Sequence, residues 1–172
     1  MAEQRTLVTG ALGCLGAWTL KALLELGEEP VGFDLGSDDA RVRLVLSEEE
    51  RARVTLVEGD VTDAAAVGGA LDEHGITNVI HLAALQVPFV RADPPLGARV
   101  NVLGTVNVFE AAKARPHLAP ITYASSIAAF DASSKPSRSA SPGSAASPTR
   151  ARRRSTTRPT TRPRRRPAAR SR

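Results

Sequence analysis

Three glycines, Gly10, Gly13 and Gly16, recur at three-residue intervals where the apolar run Thr6-Leu7-Val8-Thr9 gives way to a helical pattern around Trp18–Leu26. A glycine turn of this kind lets backbone N–H groups approach a ligand, and the start of the following helix offers those groups to an anion. A side chain at Gly10 or Gly13 would hold a pyrophosphate away from the donors, and one at Gly16 would hold the helix off the sheet. The spacing is GxxGxxG rather than the commoner GxGxxG, and a tight strand–helix turn without a ligand is the other reading. Asp34 stands 18 residues after Gly16, at the end of the next apolar run, Pro30-Val31-Gly32-Phe33. In a dinucleotide fold an acidic residue about 20 residues beyond the glycines accepts hydrogen bonds from the adenosine ribose. Its charge would repel a 2′-phosphate, which favours NAD over NADP. Arg41 and Arg43, a little downstream, are the residues that could hold such a phosphate instead. An ordinary loop aspartate is the alternative for Asp34.

The elements that must position these residues follow from hydrophobic periodicity. A strand over 5–9 leads into the turn. A helix from about 13 to 26 follows, with Leu15, Leu20, Leu23, Leu24 and Leu26 as its buried face and Gly27 as its end. A second strand spans 30–34. Residues 35–52 are polar and broken, with Ser47 and Glu50 at capping-box spacing for a short surface helix. A third strand spans 54–59. Thr62 or Asp63 then caps a helix over 64–74 that must tolerate Gly68 and Gly69 in its interior. A fourth strand (78–84) and a loop (85–93) precede a long helix, roughly 95–114, opened by Pro94-Pro95. Val100, Leu103, Gly104, Val106, Asn107, Val108 and Ala111 give that helix an apolar, small-residue side. A fifth strand, 120–124, runs into Ser125-Ser126. Crossovers of this length join parallel strands with right-handed connections. The expected fold is therefore α/β, a Rossmann-type doubly wound parallel sheet with strand order 3-2-1-4-5. The glycine turn, Asp34, Asp60, Ala83-Ala84 and Ser125-Ser126 all fall at the carboxyl ends of strands, the edge where such sheets bind ligands.

Charge divides the chain in two. Residues 1–130 carry 10 Lys and Arg against 17 Asp and Glu. Residues 131–172 carry 13 against one acid, Asp131, and contain no Leu, Ile, Val, Met, Phe, Tyr or Trp. The first part reads as a nucleotide-binding domain. The second is a Ser-, Pro- and Arg-rich tail, expected to be disordered because it has nothing to bury. Three origins fit the tail: a shifted reading frame in a G- and C-rich gene, a plain solvated extension, or a basic arm that contacts nucleic acid. Cys14 is the only cysteine, which excludes an intrachain disulfide and fits a reducing, cytoplasmic setting. No stretch has membrane-spanning length, and neither a signal peptide before the first strand nor a metal site is expected.

The ordered set of motifs resembles the extended short-chain dehydrogenase/reductases, the NAD-dependent epimerase/dehydratase family. Thr9-Gly10-Ala11-Leu12-Gly13-Cys14-Leu15-Gly16 is similar to their TGxxGxxG, Gly59-Asp60-Val61-Thr62-Asp63 to GDxxD, and His81-Leu82-Ala83-Ala84 to HxAA. Asn101-Val102-Leu103-Gly104-Thr105-Val106-Asn107-Val108 is similar to NVxGTxNV, and the segment Tyr123–Phe130 to the fifth-strand SSxxVYG. The resemblance covers residues 5–130 and implies NAD as cofactor. It places Gly10, Leu12, Gly13 and Leu15 around the pyrophosphate, Asp34 on the ribose, and Asp60 and Val61 on the adenine. Leu82, Ala83 and Ala84 would line the nicotinamide side, with Ser125 at the same strand edge. Asn101 would sit beside the active centre, as a catalytic group or as a buried amide bonded to backbone. Ser126 would hydrogen-bond the reacting substrate oxygen. The implied substrate is a nucleotide-linked sugar or similar polyol, and a homodimer through helices, including the one near 95–114, follows by analogy.

The resemblance stops at the catalytic base. The family uses a YxxxK pair whose lysine tunes a tyrosine, since a phenol with pKa near 10 needs such help to act at neutral pH. The only tyrosine here is Tyr123, and Ile127 stands four residues later. Tyr123 occupies an apolar family position and is expected in the core. Turnover by this chain is not expected, and a non-catalytic NAD sensor with a nucleic-acid-binding arm is the alternative function. In the family, strand five pairs with later strands, so here it is expected to form an exposed, aggregation-prone edge.

Overall fold

Strands buried on both faces read as continuous apolar runs, and the central strand here is of that kind, with all four of its residues buried. In the computed structural model, which describes residues 4–119 and 121–125, this is β1, Thr6–Thr9. It is followed by α1 (Cys14–Glu25), β2 (Val31–Asp34), α2 (Ala40–Val45), α3 (Glu48–Arg51) and β3 (Thr55–Glu58). Next come α4 (Ala64–Glu73), β4 (Asn78–His81), α5 (Val87–Ala92) and α6 (Pro94–Ala98). A π-helical segment, Arg99–Gly104, joins α6 directly to α7 (Thr105–Lys113), and β5 (Thr122–Tyr123) ends the described chain. All neighbouring strands are parallel, in the order β3-β2-β1-β4-β5, as expected.

Alternate residues of each strand feed two cores. On one face Leu7, Val31, Phe33 and Val79 pack with Val67, Ala70 and Leu71 of α4 and Val108 of α7. On the other, Val8 packs with Ala17, Leu20, Leu23 and Leu24 of α1 and with Val42 and Leu46 around α2. Gly68 and Gly69 are carried by this packing and by Arg115, whose guanidinium donates to Gly68 O (3.0 Å) and pairs with Asp72 (2.6 Å). Asp63, rather than Thr62, caps α4 by accepting from Ala65 N and Ala66 N. Ser47 and Glu50 form the expected reciprocal capping box on α3.

Several expectations are corrected. Residues 40–45 are helical, because Val42 and Leu46 find the α1 face; the polar composition of 35–52 hides them. Residues 87–92 form a short helix with Pro88 in its first turn, not a loop. Leu15 and Leu26 are exposed, so the buried stripe of α1 is narrower, running through Gly16, Ala17, Leu20, Leu23 and Leu24. On the long helix the buried side is Gly97, Gly104, Val108 and Ala112, and Leu103 and Val106 face outward. The π-helical widening between Arg99 and Gly104 shifts the helical phase that a constant 3.6-residue period assumes. Tyr123 is 54% exposed, not core; β5 pairs only with β4 among the described residues, and the ring rests edge-on against Phe109 with centroids 5.6 Å apart. Among the described residues no helix is long and apolar enough to cross a membrane.

The fold rests on α1 lying unusually close to the turn before it. A Cβ at Gly16 would stand 2.1 Å from Gly10 O and 2.6 Å from Ala11 Cα, both backbone atoms that cannot swing aside. Gly69 has nothing within 4 Å of the same point. Gly16→Ala is expected to lower unfolding free energy by about 3 kcal/mol or more, whereas Gly69→Ala is expected to raise it by about 0.5–1 kcal/mol. Denaturant melts of the two variants beside the parent chain check both signs.

Candidate functional site

The glycine turn is built by backbone. Gly10 adopts φ +71° and its N–H donates to Phe33 O (2.9 Å), and Gly13 N–H turns back to Gly10 O (3.1 Å). A Cβ at Gly10 would also meet Ala83 N at 2.8 Å, so this glycine serves the close passage of the segment after β4 as well as the turn. Gly13 is the N-cap of α1 and provides no side-chain cap. The first N–H groups of a helix have no intrahelical partner, so those at the start of α1 are free for an anion. Leu15, exposed on that first turn, and Cys14, also exposed, flank the opening.

Asp34 ends β2 with its carboxylate turned to this turn. Oδ2 accepts from Leu12 N–H (2.9 Å) and Oδ1 from Leu35 N–H (2.8 Å). The two sequence-predicted halves, glycine turn and acidic residue, thus touch. They border a cleft that Gly36, Ser37, Asp39 and Glu58 also line. Asp39 holds the Arg43 and Arg51 guanidiniums at 2.7 and 2.9 Å. The Arg43 hydrogen bond holds the Asp39 carboxyl below its usual range. Arg43, considered above as a phosphate ligand, is therefore committed to Asp39; Arg41 is exposed. Lys21 of α1 pairs with Glu50 of α3, which ties the α2–α3 excursion back to α1.

The remaining predicted residues lie along the carboxyl ends of β3, β4 and β5, and the long helix holds them there at one point per turn. Asn101 brackets Leu85: Oδ1 accepts from Leu85 N–H (2.7 Å) and Nδ2 donates to Leu85 O (3.0 Å). Of the two readings left open for Asn101, the described contacts are those of an amide bonded to backbone. Gly104 faces Val61, where a Cβ would meet Val61 Cγ2 at 2.7 Å. Asn107 Nδ2 donates to Val61 O (3.0 Å), and Val61 itself is buried. Asp60 accepts from Thr62 N–H (2.8 Å), closing the turn that presents residues 60–61. Leu82 and Ala83 are half-buried, whereas Ala84 and Ser125 are exposed. Ser126 lies outside the described residues. Among the described residues no cluster of His, Cys, Asp and Glu could hold a metal ion.

Three residues not predicted as site residues join this edge. Thr9 Oγ1 lies 2.7 Å from His81 Nδ1 and accepts from Leu82 N–H and Ala83 N–H at 3.2 Å each. His81 Nε2 lies 3.0 Å from Thr105 Oγ1. His81 is only 4% exposed, and burial pushes its pKa down. The signal was in the sequence, since Thr9, His81 and Thr105 all belong to the motifs; hydrogen-bond partners between motifs are what the sequence does not display.

The sheet order, the glycine turn and the acidic strand end define a Rossmann-type dinucleotide fold. A family model for the NAD dependent epimerase/dehydratase family matches residues 6–154, and the chain belongs to that family. The match runs past residue 130, into the segment read above as a separate tail. The chain is 40% identical over 111 residues to a UDP-glucose 4-epimerase of Mycolicibacterium smegmatis, covering 63% of this chain and 34% of that protein. It is 41% identical over 107 residues to human 3 beta-hydroxysteroid dehydrogenase type 7, covering 61% and 28%. The crystal structure of Thermus thermophilus UDP-glucose 4-epimerase in complex with NAD superposes with a TM-score of 0.55 at 31% identity, covering 64% of this chain and 34% of that one. The chain thus spans about a third of the length of these relatives.

His81 gives the site a pH signature. Its folded pKa lies below the usual ~6.5, so the unfolded chain binds the extra proton first as pH falls. The stabilisation is complete above about pH 6.5 and is lost progressively below it, with a slope of at most about 1.4 kcal/mol per pH unit. Asp39, Glu50 and Asp72, lowered by Arg43, Lys21 and Arg115 respectively, make their losses only in the carboxylate range. Urea melts between pH 8 and 5 are expected to show stability falling below pH 6.5, and His81→Asn is expected to flatten that limb. An unchanged limb in the variant would assign it elsewhere.

Proposed function

We propose that this chain is the dinucleotide-binding part of an NAD-dependent oxidoreductase of the epimerase/dehydratase family, whose intact form acts on a nucleotide-linked sugar or similar polyol. The observation that carries the reading is the contact between the glycine turn and Asp34. The glycine turn, which leads into an uncapped helix start suited to a pyrophosphate, is hydrogen-bonded through Leu12 N–H to a carboxylate suited to ribose hydroxyls. The residues fit the group: Gly13 leaves the helix start open, and Arg43, one of the two arginines considered for a 2′-phosphate, is paired with Asp39. Similarity to two UDP-glucose 4-epimerases supports the substrate class.

In this reading Gly10, Leu12, Gly13, Leu15 and Gly16 form the pyrophosphate cradle, and Asp34 exchanges its bond to Leu12 N–H for, or shares it with, the adenosine ribose. Asp60 and Val61 border the adenine. Leu82, Ala83 and Ala84 border the nicotinamide ribose, with Ser125 nearby and Asn101 holding the loop at Leu85. NAD, when bound, supplies hydride acceptance and return. Ser126 orients the substrate hydroxyl. No YxxxK pair exists among the 172 residues, so the chain binds dinucleotide without turnover. Residues 1–130 make up the binding domain and 131–172 a separate tail.

Isothermal titration of the full chain at pH 8 is expected to show NAD binding at least tenfold tighter than NADP. Asp34→Ala is expected to weaken NAD by about tenfold, from losing charge-assisted hydrogen bonds, and to narrow the gap to NADP. Absence of NAD binding, or a preference for NADP, would contradict the reading.

A further inference from the structure

The hydrogen bonds around His81 admit one fully paired arrangement. Thr105 Oγ1 lies 2.9 Å from Asn101 O, a carbonyl, so its single hydrogen belongs there. Thr105 Oγ1 must then accept from His81, which puts the imidazole proton on Nε2. Nδ1 is left as an acceptor and receives the Thr9 hydroxyl hydrogen. Thr9 Oγ1 keeps its lone pairs for Ala83 N–H and for Leu82 N–H, which it shares with the Thr9 carbonyl (3.1 Å). Every donor has an acceptor.

The other tautomer breaks this. A proton on Nδ1 would point at Thr9 Oγ1, which already accepts from Ala83 N–H, and the Thr9 hydroxyl hydrogen would then have no partner among the described residues, at a residue with 0% exposure. A doubly protonated ring fails at the same atom. Leaving a buried donor unpaired costs more than a hydrogen bond ordinarily contributes. Among the described residues, the elements around the ring offer no charge to offset this: β1 presents Thr9, the long helix presents Thr105, and β5 places Tyr123 opposite His81 in register. Burial pushes the pKa of the ring down.

The two N–H groups that end this chain of bonds belong to Leu82 and Ala83, on the ligand edge of β4. Ala83 N also lies against Gly10, at the start of the glycine turn. We propose that Thr9, His81 and Thr105 form a positioning unit in which a neutral, Nε2-protonated His81 locks the Leu82–Ala83 backbone to the long helix and so sets the dinucleotide site. None of the three touches the ligand in this assignment; they act through the backbone they hold. The proposal rests on the NAD-binding reading above, but its ring tautomer is measurable without NAD.

The test combines a ring measurement with a rescue. Imidazole ¹⁵N shifts of the full chain at pH 7.5 are expected to show His81 neutral and protonated on Nε2. Thr105→Val is expected to weaken NAD about fivefold, as the hydroxyl that accepts from His81 and donates to Asn101 O is lost, and Thr105→Ser to restore it to within about twofold. Acidification that charges the ring is expected to release NAD in the parent chain. A Thr105→Val variant that binds NAD like the parent overturns the proposal, as does an Nδ1-protonated or charged ring at pH 7.5. If Thr105→Val does not fold, the parent's ring shifts decide alone on the same criterion. A parent chain that shows the expected tautomer yet binds no NAD contradicts the functional reading and not the tautomer assignment.

Discussion

The structure depends on how closely the first helix can lie against the turn that precedes it. The point where a Gly16 side chain would begin is 2.1 Å from Gly10 O, so the N-terminus of α1 is pressed into the mouth of the β1–α1 turn. Nothing larger than hydrogen fits, and the neighbours are backbone. That approach fixes the direction of α1 over β1, which buries Ala17, Leu20, Leu23 and Leu24 against Val8. It also leaves the uncapped N–H groups of the helix facing outward at the sheet edge. Gly10 adds a second close passage, this time with Ala83. Two glycines therefore bring β1, α1 and the end of β4 together before any ligand is considered.

The long helix does comparable work on the other side. Asn101, Gly104, Thr105 and Asn107 each meet a different part of the ligand edge: the loop at Leu85, Val61 closely packed, His81, and the Val61 carbonyl. These are polar or small residues with buried partners, so their pairing is specific in a way that apolar packing is not. The π-helical segment lies within this run, and Asn101 and Thr105, four residues apart, both serve the edge. The helix is thus a gauge for loop positions, and its apolar residues Val102, Leu103 and Val106 stay exposed on the opposite side.

Much of this was legible in the sequence. Apolar runs at regular intervals, with crossovers of helical length, give the parallel sheet and its order, and the residues at the strand ends lie on one edge as expected. What escaped did so for physical reasons. The helix Ala40–Val45 lies in a polar segment and is held by two buried residues, Val42 and Leu46, too few to create a periodic signal. Leu15 and Leu26 look like core by type and are exposed: Leu15 lies on the first turn of α1, off its buried stripe, and Leu26 is the residue at which the helix ends. Tyr123 is exposed because its strand is only two residues long and sits last in the described sheet. The contacts of Asn101, Asn107 and His81 join motifs that lie up to 72 residues apart, and spacing within one motif carries no trace of them.

The central claim is that the open start of α1 and the Asp34 carboxylate form one dinucleotide site. A crystal structure of the full chain grown with NAD tests it most directly. The account predicts the pyrophosphate on the N–H groups at the start of α1, the adenosine ribose hydroxyls on Asp34, and the adenine beside Asp60 and Val61. NAD bound elsewhere, or bound with its ribose away from Asp34, would contradict it.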